Sequence, residues 1–92
     1  MDKEELTKRV YEDLKSSKLK ITKAEVSDIV TTVLNNMRNQ IAVGGRVDIR
    51  SFGSFYSKLV KRRNISDNTF IKKWTIYFRP HKSLKEELNN NG

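Results

Sequence analysis

The sequence predicts an α+β fold: two N-terminal helices, a three-stranded antiparallel sheet drawn out into a β-hairpin, and a short C-terminal helix. Three observations carry that prediction. Apolar residues recur at spacings of three and four from Leu6 to Ile41, the period of an amphipathic helix. From Val47 to Phe78 the pattern changes to alternation and β-branched and aromatic residues dominate, as half-buried strands require. Pro80 then ends the extended run, because proline has no N–H to give to a ladder.

The first helix is expected over about residues 3–15. Asp2 can cap it, with Glu5 at the third helical position, and Leu6, Val10 and Leu14, with Tyr11 beside them, supply its apolar side. "SSKLK" interrupts the pattern. A complete start signal follows: Thr22 as N-cap, Glu25 as its capping-box partner, and Ile21 with Val26 as the hydrophobic staple. Along the second helix Val26, Ile29, Val30, Val33, Leu34, Met37 and Ile41 form one wide stripe, which reads as a core face. Gly44 and Gly45 end it, where a left-handed turn is cheap. Glu4 with Lys8, and Arg9 with Asp13, read as solvated ion pairs.

"RVDIR" alternates, with Val47 and Ile49 on one side and Asp48 and Arg50 on the other, and so predicts a first strand. "SFGSF" leads into a second, with Gly53 permitting a tight bend or a close backbone approach and Phe52 and Phe55 directed to the core. The extended run continues through Lys61, and "TFIKKWTIYF" forms its partner. "NISDN" lies between them, so the two runs form a long hairpin. A two-residue turn at Asp67 and Asn68 would pair Ile65 with Phe70, Arg63 with Lys72, Lys61 with Trp74 and Leu59 with Ile76. Apolar pairs then lie near the base and cations in the middle, where opposed positive charges cost stability unless an anion joins them. Ile65 and Phe70 return as apolar residues at the tip, either clasping the turn or forming a wedge for a base step. Beyond Pro80 a short helix is expected from about Lys82, with Leu84 and Leu88 inward, and its first amides beside Lys82 and Lys85 suit a phosphate. The "NNNG" end is expected to fray.

At 92 residues with a formal charge of +8, the chain is one small domain whose surplus of cations favours a polyanionic partner. That surplus is localised: residues 50–85 hold ten Lys and Arg against the single acid Asp67. There is no cysteine, so thiolate chemistry is excluded and a reducing cytoplasm is expected. The single histidine, His81, and the separation of Asp48 from Asp67 argue against a metal centre, a triad or a nuclease, and no enzyme activity, cofactor, metal or small-molecule substrate is expected. No apolar run is long enough to span a membrane and no signal-peptide core is present, so no membrane association is expected.

The order of elements, with "GGRVDIRSFGSF" and "YFRPHKSLK" at these places, resembles the bacterial histone-like family of HU and integration host factor over essentially the whole chain. The former is similar to that family's "GFG-F" turn, with Ser51 where glycine is usual; the latter is similar to its "FRPG-LK" segment, with His81 where glycine is usual. "DIRSFGSF" and "FRP" bring it nearest to integration host factor subunits. The resemblance implies an intertwined dimer, a homodimer or a heterodimer with a related subunit, with residues 1–45 as its helical dimerisation part. Residues 46–80 would be sheet and arm, the arm at about 57–76, and residues 81–92 the C-terminal helix and tail. It implies a nucleoid-associated protein whose arms wrap the minor groove of double-stranded DNA, and bend or compact it. Arg63 and Asn64 match the first two positions of the family's "RNP" arm tip, and Ile65 stands where its proline wedges into DNA. The arm is about six residues shorter than usual, which at about 3.3 Å per residue removes on the order of 10 Å of reach.

The expected DNA contacts are Lys58, Lys61, Arg62, Arg63, Asn64, Ile65, Lys72 and Lys73 on the arm, and Lys3, Arg50, Ser51, Arg79, Lys82 and Ser83 at the base. Val30, Val33, Leu34, Met37, Ile49, Phe52, Phe55 and Phe78 are the expected core and dimer residues. Two further readings stay open. One is a site-preferring cofactor of recombination, packaging or transcription, with preference arising through deformability. The other is a basic interaction module that clamps an acidic protein or an anionic membrane.

Overall fold

The computed structural model describes residues 1–91. Its elements are α1 (Lys3–Lys15), α2 (Lys23–Ala42), β1 (Val47–Ile49), β2 (Gly53–Arg63), β3 (Phe70–Pro80) and α3 (Lys82–Asn91). The strands form one antiparallel sheet in the order β1-β2-β3. Contacts divide the chain into two compact units, Met1–Met37 and Arg38–Gly92.

In the first unit both helix starts follow the sequence signals. Asp2 accepts a hydrogen bond from the Glu5 amide at 2.8 Å. Thr22 and Glu25 exchange the reciprocal bonds of a capping box, the Glu25 amide donating to Thr22 Oγ1 and the Thr22 amide to Glu25 Oε1, both at 3.1 Å. The Glu25 carboxyl is held below its usual range chiefly by the Thr22 hydroxyl. The ion pairs differ from those expected: Arg9 pairs with Glu5 at 2.7 Å and Lys15 with Glu12 at 2.9 Å. An acid placed N-terminal to its cation is the favoured order on a helix, and Arg9 accordingly turns to Glu5 rather than to Asp13.

The apolar stripe of α2 is only partly a core. Val26 and Val30 are buried, with Thr7 of α1, whereas Ile29, Val33 and Leu34 are exposed, Val33 to 53%. So short a chain lacks the surface to cover a stripe five turns long.

In the second unit α2 ends as its glycines require. Gly44 takes φ 81°, its amide bonds to Ile41 O at 3.0 Å, and the Gly45 amide reaches Gln40 O at 2.9 Å, a Schellman closure. The β1–β2 turn passes through Arg50, Ser51 and Phe52 with Ser51 at φ 64°. Gly53 is the predicted close approach: at φ 154°, an added Cβ would lie 2.5 Å from the Arg79 carbonyl oxygen and 2.7 Å from the Phe78 ring. Phe52, Phe55 and Phe78 cluster on one side of the sheet, with Phe55 and Phe78 centroids 4.7 Å apart. Phe52 and Phe78 nonetheless remain 43% and 42% exposed, and Ile49 37%.

The hairpin turn corrects the sequence expectation. Arg63 pairs with Phe70, Lys61 with Lys72, Leu59 with Trp74 and Ser57 with Ile76, so the loop is the six residues Asn64–Thr69 rather than a two-residue turn. Side chains bonding to nearby backbone account for the longer loop. Asn64 Oδ1 accepts from the Ser66 amide and hydroxyl, Asp67 Oδ1 from those of Thr69, and Asn68 adopts φ 60°. The slip is two residues, an even number, so every side chain keeps its expected face.

At the C-terminal end α3 runs through Asn91, so Asn89–Asn91 are helical rather than frayed; Gly92 lies outside the described residues. Leu84 is half-buried, but Leu88, expected inward, is 72% exposed.

Candidate nucleic-acid interface

The antiparallel register sorts the arm into two faces. One carries Phe55, Ser57, Leu59, Lys61 and Arg63 opposite Phe78, Ile76, Trp74, Lys72 and Phe70. The other carries Ser54, Tyr56, Lys58, Val60 and Arg62 opposite Arg79, Tyr77, Thr75, Lys73 and Ile71. On the first face a band of exposed apolar residues, Leu59, Trp74 and Ile76, gives way toward the tip to Lys61, Lys72 and Arg63. Lys61 relieves its opposition to Lys72 by leaning over the Phe70 ring, its ammonium 4.3 Å from the centroid.

The second face is basic along its whole length. Tyr56 and Tyr77 stack across the strands with centroids 5.7 Å apart, and Arg46 and Lys58 each place a cation 5.6 Å from the Tyr56 centroid. Arg46 also donates to Asp48 at 2.7 Å and to Ser54, and the Ser54 hydroxyl donates to the same Asp48 oxygen. The Ser54 hydroxyl first, and Arg46 second, hold the Asp48 carboxyl below its usual range. Its negative charge is thus spent on Arg46. Among the described residues, the acids within ion-pair distance of a cation in this unit are Asp48 and Glu86, the latter 3.8 Å from Lys82. The arm cations therefore have no carboxylate partner of their own, which leaves them available to phosphates.

At the tip the loop is held from within. The Arg63 guanidinium donates to Asn68 Oδ1, with Nε at 2.8 Å, and the Asn64 amide bonds to Thr69 O at 2.7 Å. Thr69 holds the Asp67 carboxyl below its usual range. Ile65 projects from this frame and is 95% exposed. An apolar side chain so placed gains nothing from its own fold.

At the base the structure assembles Arg50, Ser51, Arg79 and Lys82 around a cleft of about 570 Å³, whose walls also include Arg46, His81 and Lys85. Ser83 joins it through its hydroxyl, 3.3 Å from the Ser51 carbonyl oxygen. Lys3 is not part of this group; it belongs to the other unit, near Lys23 at the two helix starts. Sequence reasoning does not single out Arg46 or the Tyr56–Tyr77 pair: Arg46 and Tyr77 lie within the quoted motifs, but the contact of Arg46 with Tyr56 and the pairing of the tyrosines exist only in the register. Among the described residues no cluster of three potential metal ligands occurs, and no helix is long and apolar enough to cross a membrane.

Comparison with known proteins agrees with this geometry. The family model described as "Bacterial DNA-binding protein" matches residues 1–89. Integration host factor subunit beta of Psychromonas ingrahamii is 33% identical over 86 residues, covering 87% of this chain and 90% of that protein. The corresponding subunit of Aliivibrio salmonicida is 34% identical over 86 residues, covering 87% and 92%. Among solved structures, HU in the Anabaena HU-DNA cocrystal aligns over 96% of this chain and 97% of that one, with a TM-score of 0.66 and 26% identity. HU from Thermotoga maritima aligns over 96% and 98%, with a TM-score of 0.65 and 28% identity.

Proposed function

The chain belongs to the bacterial DNA-binding protein family of HU and integration host factor, and on that footing we propose that it acts as a single domain which dimerises, grips the minor groove of double-stranded DNA with its two arms, and bends it. The observation that carries this reading is the composition of the arm: cations without carboxylate partners along both faces, ending in an Ile65 that is 95% exposed. Phosphate contacts by Lys58, Lys61, Arg62, Lys72 and Lys73 supply affinity. Ile65 enters a base step and unstacks it, the work done by apolar wedges in minor-groove binders. Arg63 and Asn64 act differently, as the frame that aims Ile65, since their polar atoms are engaged within the tip loop. Arg50, Ser51, Arg79, Lys82 and Ser83 receive the flanking backbone at the base, and Lys3 adds a contact from the helical part.

Dimerisation is supported by the apolar surface that one chain leaves uncovered. Ile29, Val33 and Leu34 on α2, and Ile49, Phe52, Phe78 and Ile76 on the sheet, are all more than a third exposed. A second copy covers such faces at little cost in specificity, as in obligate dimers whose interface resembles a core cut in half. Val30, Met37 and Phe55 belong to the same set and are already partly or wholly buried. The relatives named as integration host factor subunits favour a related chain as the alternative partner, and with it some preference among sites. The reading places the protein on the nucleoid.

A duplex of about 35 base pairs, far below the persistence length, labelled at both ends, tests the reading directly. Anisotropy reports binding and end-to-end energy transfer reports bending. Binding with increased transfer is expected. Binding with unchanged transfer would leave a coating or bridging protein, and absence of binding at moderate salt would remove the reading for the homodimer.

A further inference from the structure

His81 caps α3 through hydrogen bonds that can be made in two ways. Its carbonyl accepts from the Lys85 amide at 3.2 Å, as the first bond of the helix, and its Nδ1 lies 3.1 Å from the Ser83 amide nitrogen. The same Nδ1 lies 2.8 Å from Ser83 Oγ, which in turn is 3.3 Å from the Ser51 carbonyl oxygen. In the neutral imidazole Nδ1 accepts from the Ser83 amide. In the imidazolium both ring nitrogens are donors, so Nδ1–H donates to Ser83 Oγ while the Ser83 hydroxyl keeps its own hydrogen bond to the Ser51 carbonyl. Protonation then sets Nδ1–H against the Ser83 amide from which the neutral ring accepts, so the imidazolium gives up one cap bond. A proton on Nδ1 would therefore cost α3 a cap bond, which an anion at the cleft would have to offset.

What surrounds His81 decides when it takes up that proton. The cleft brings Arg46 from before β1, Asp48 from β1, Arg50 from the turn, Arg79 from β3, and Lys82 and Lys85 from α3 to the same space as His81. Asp48 is engaged by Arg46 and Ser54, and the acid nearest Lys82 is Glu86. Among the described residues lining the cleft the acid is Asp48, already engaged, so a counter-ion for an imidazolium has to come from outside. The Lys and Arg side chains stay charged throughout the neutral range, whereas histidine changes charge between about pH 5 and 8.

We infer that His81 binds a DNA phosphate as its imidazolium, so that each chain takes up a proton as its base cleft closes on the duplex. This rests on the DNA-binding reading above. An anion within about 4–6 Å favours the charged imidazole, so the bound complex holds more protons than the free partners. Reciprocity then fixes the sign: DNA binds more tightly as pH falls from 8 to 6. The two residues that depart from the family's glycines, Ser51 and His81, are joined here through Ser83 into one device.

The test is titration calorimetry of the full chain with the same duplex near pH 7, in two buffers of different ionisation enthalpy, with anisotropy at pH 6 and pH 8 and constant ionic strength. The slope of heat against buffer enthalpy is expected to show uptake of up to about one proton per engaged cleft, and affinity is expected to rise about tenfold per cleft from pH 8 to pH 6. The α-amino group titrates in the same range, so the readout is the difference between parent and variant. His81→Asn keeps a favoured neutral cap and is expected to lose the uptake and flatten the pH dependence to within about twofold. His81→Lys, permanently charged, is expected to flatten it as well. DNA binding by the parent without proton uptake, or equal uptake by His81→Asn, overturns the inference and leaves the DNA-binding reading standing. No binding by the parent at either pH overturns both.

Discussion

Lys61 and Lys72 stand directly opposite each other where β2 pairs with β3, an opposed pair of cations on a rung that a folded protein would ordinarily fill with opposite charges. Arg63 follows one rung nearer the tip on the same face. The contact of Lys61 with the Phe70 ring relieves part of this opposition, and phosphates would relieve the rest. Lys72→Glu is expected to stabilise the hairpin by about 0.2–1 kcal/mol while weakening DNA binding. Hydrogen exchange of the β2 and β3 amides should slow, and the slope of log affinity against log salt should become shallower by about one per chain.

On the proposed reading Ile65 acts in the complex with DNA and not in the fold. Because it is 95% exposed, Ile65→Ala is expected to leave thermal stability within about 0.5 kcal/mol of the parent. Binding should persist through the phosphate contacts, whereas the energy-transfer signal of bending should fall. Bending equal to the parent's would remove Ile65 from the role of wedge.

Ser51 in the β1–β2 turn and Gly53 at the start of β2, both with positive φ, should respond in opposite ways. Ser51 occupies a left-handed conformation at φ 64°, which costs a non-glycine residue about 1 kcal/mol. Ser51→Gly is expected to raise the midpoint of thermal unfolding, with the Ser83 hydrogen bond to its carbonyl retained. Gly53→Ala would drive a Cβ against the Arg79 carbonyl and the Phe78 ring, and is expected to cost about 2 kcal/mol or more. Both are read from melting curves at a fixed chain concentration, since any association of chains would contribute to apparent stability.

Acid should loosen the base of the sheet. The folded-state value of Asp48 is depressed by the Ser54 hydroxyl and Arg46, so its stabilisation is present above the ordinary carboxylate range and is lost as pH falls through the depressed value. Stability is therefore expected to decline below about pH 4, and Asp48→Asn to remove part of that decline while lowering stability at neutral pH. Melting curves of parent and variant from pH 7 to pH 3 measure the difference. A parent and variant with parallel profiles would show that other carboxylates govern the acid limb.

The residues most legible in the sequence were those whose signals are local. Asp2, Thr22 and Glu25 announced their helix starts, Gly44 and Gly45 a helix end, Gly53 a close approach, and the run of cations between Arg50 and Lys85 a polyanionic partner. The hairpin was legible but its register was not. A turn at Asp67 and Asn68 satisfies local preference, whereas the bonds made by Asn64, Asp67 and Asn68 together favour a loop of six residues. The α2 stripe was legible as apolar, but not the fact that one chain would bury only Val26 and Val30 of it.

By itself, then, the sequence determined the elements, the segregation of charge onto the hairpin and the family to which the chain belongs, because periodicity, capping and charge act between residues close in the chain. Tertiary structure decided which residues meet across the sheet and around the base: Lys61 with Lys72, Tyr56 with Tyr77, and Ser51 with Ser83 and His81. Those juxtapositions depend on strand register and on where a turn releases the chain, both set by the combined energy of many contacts rather than by any one residue's preference.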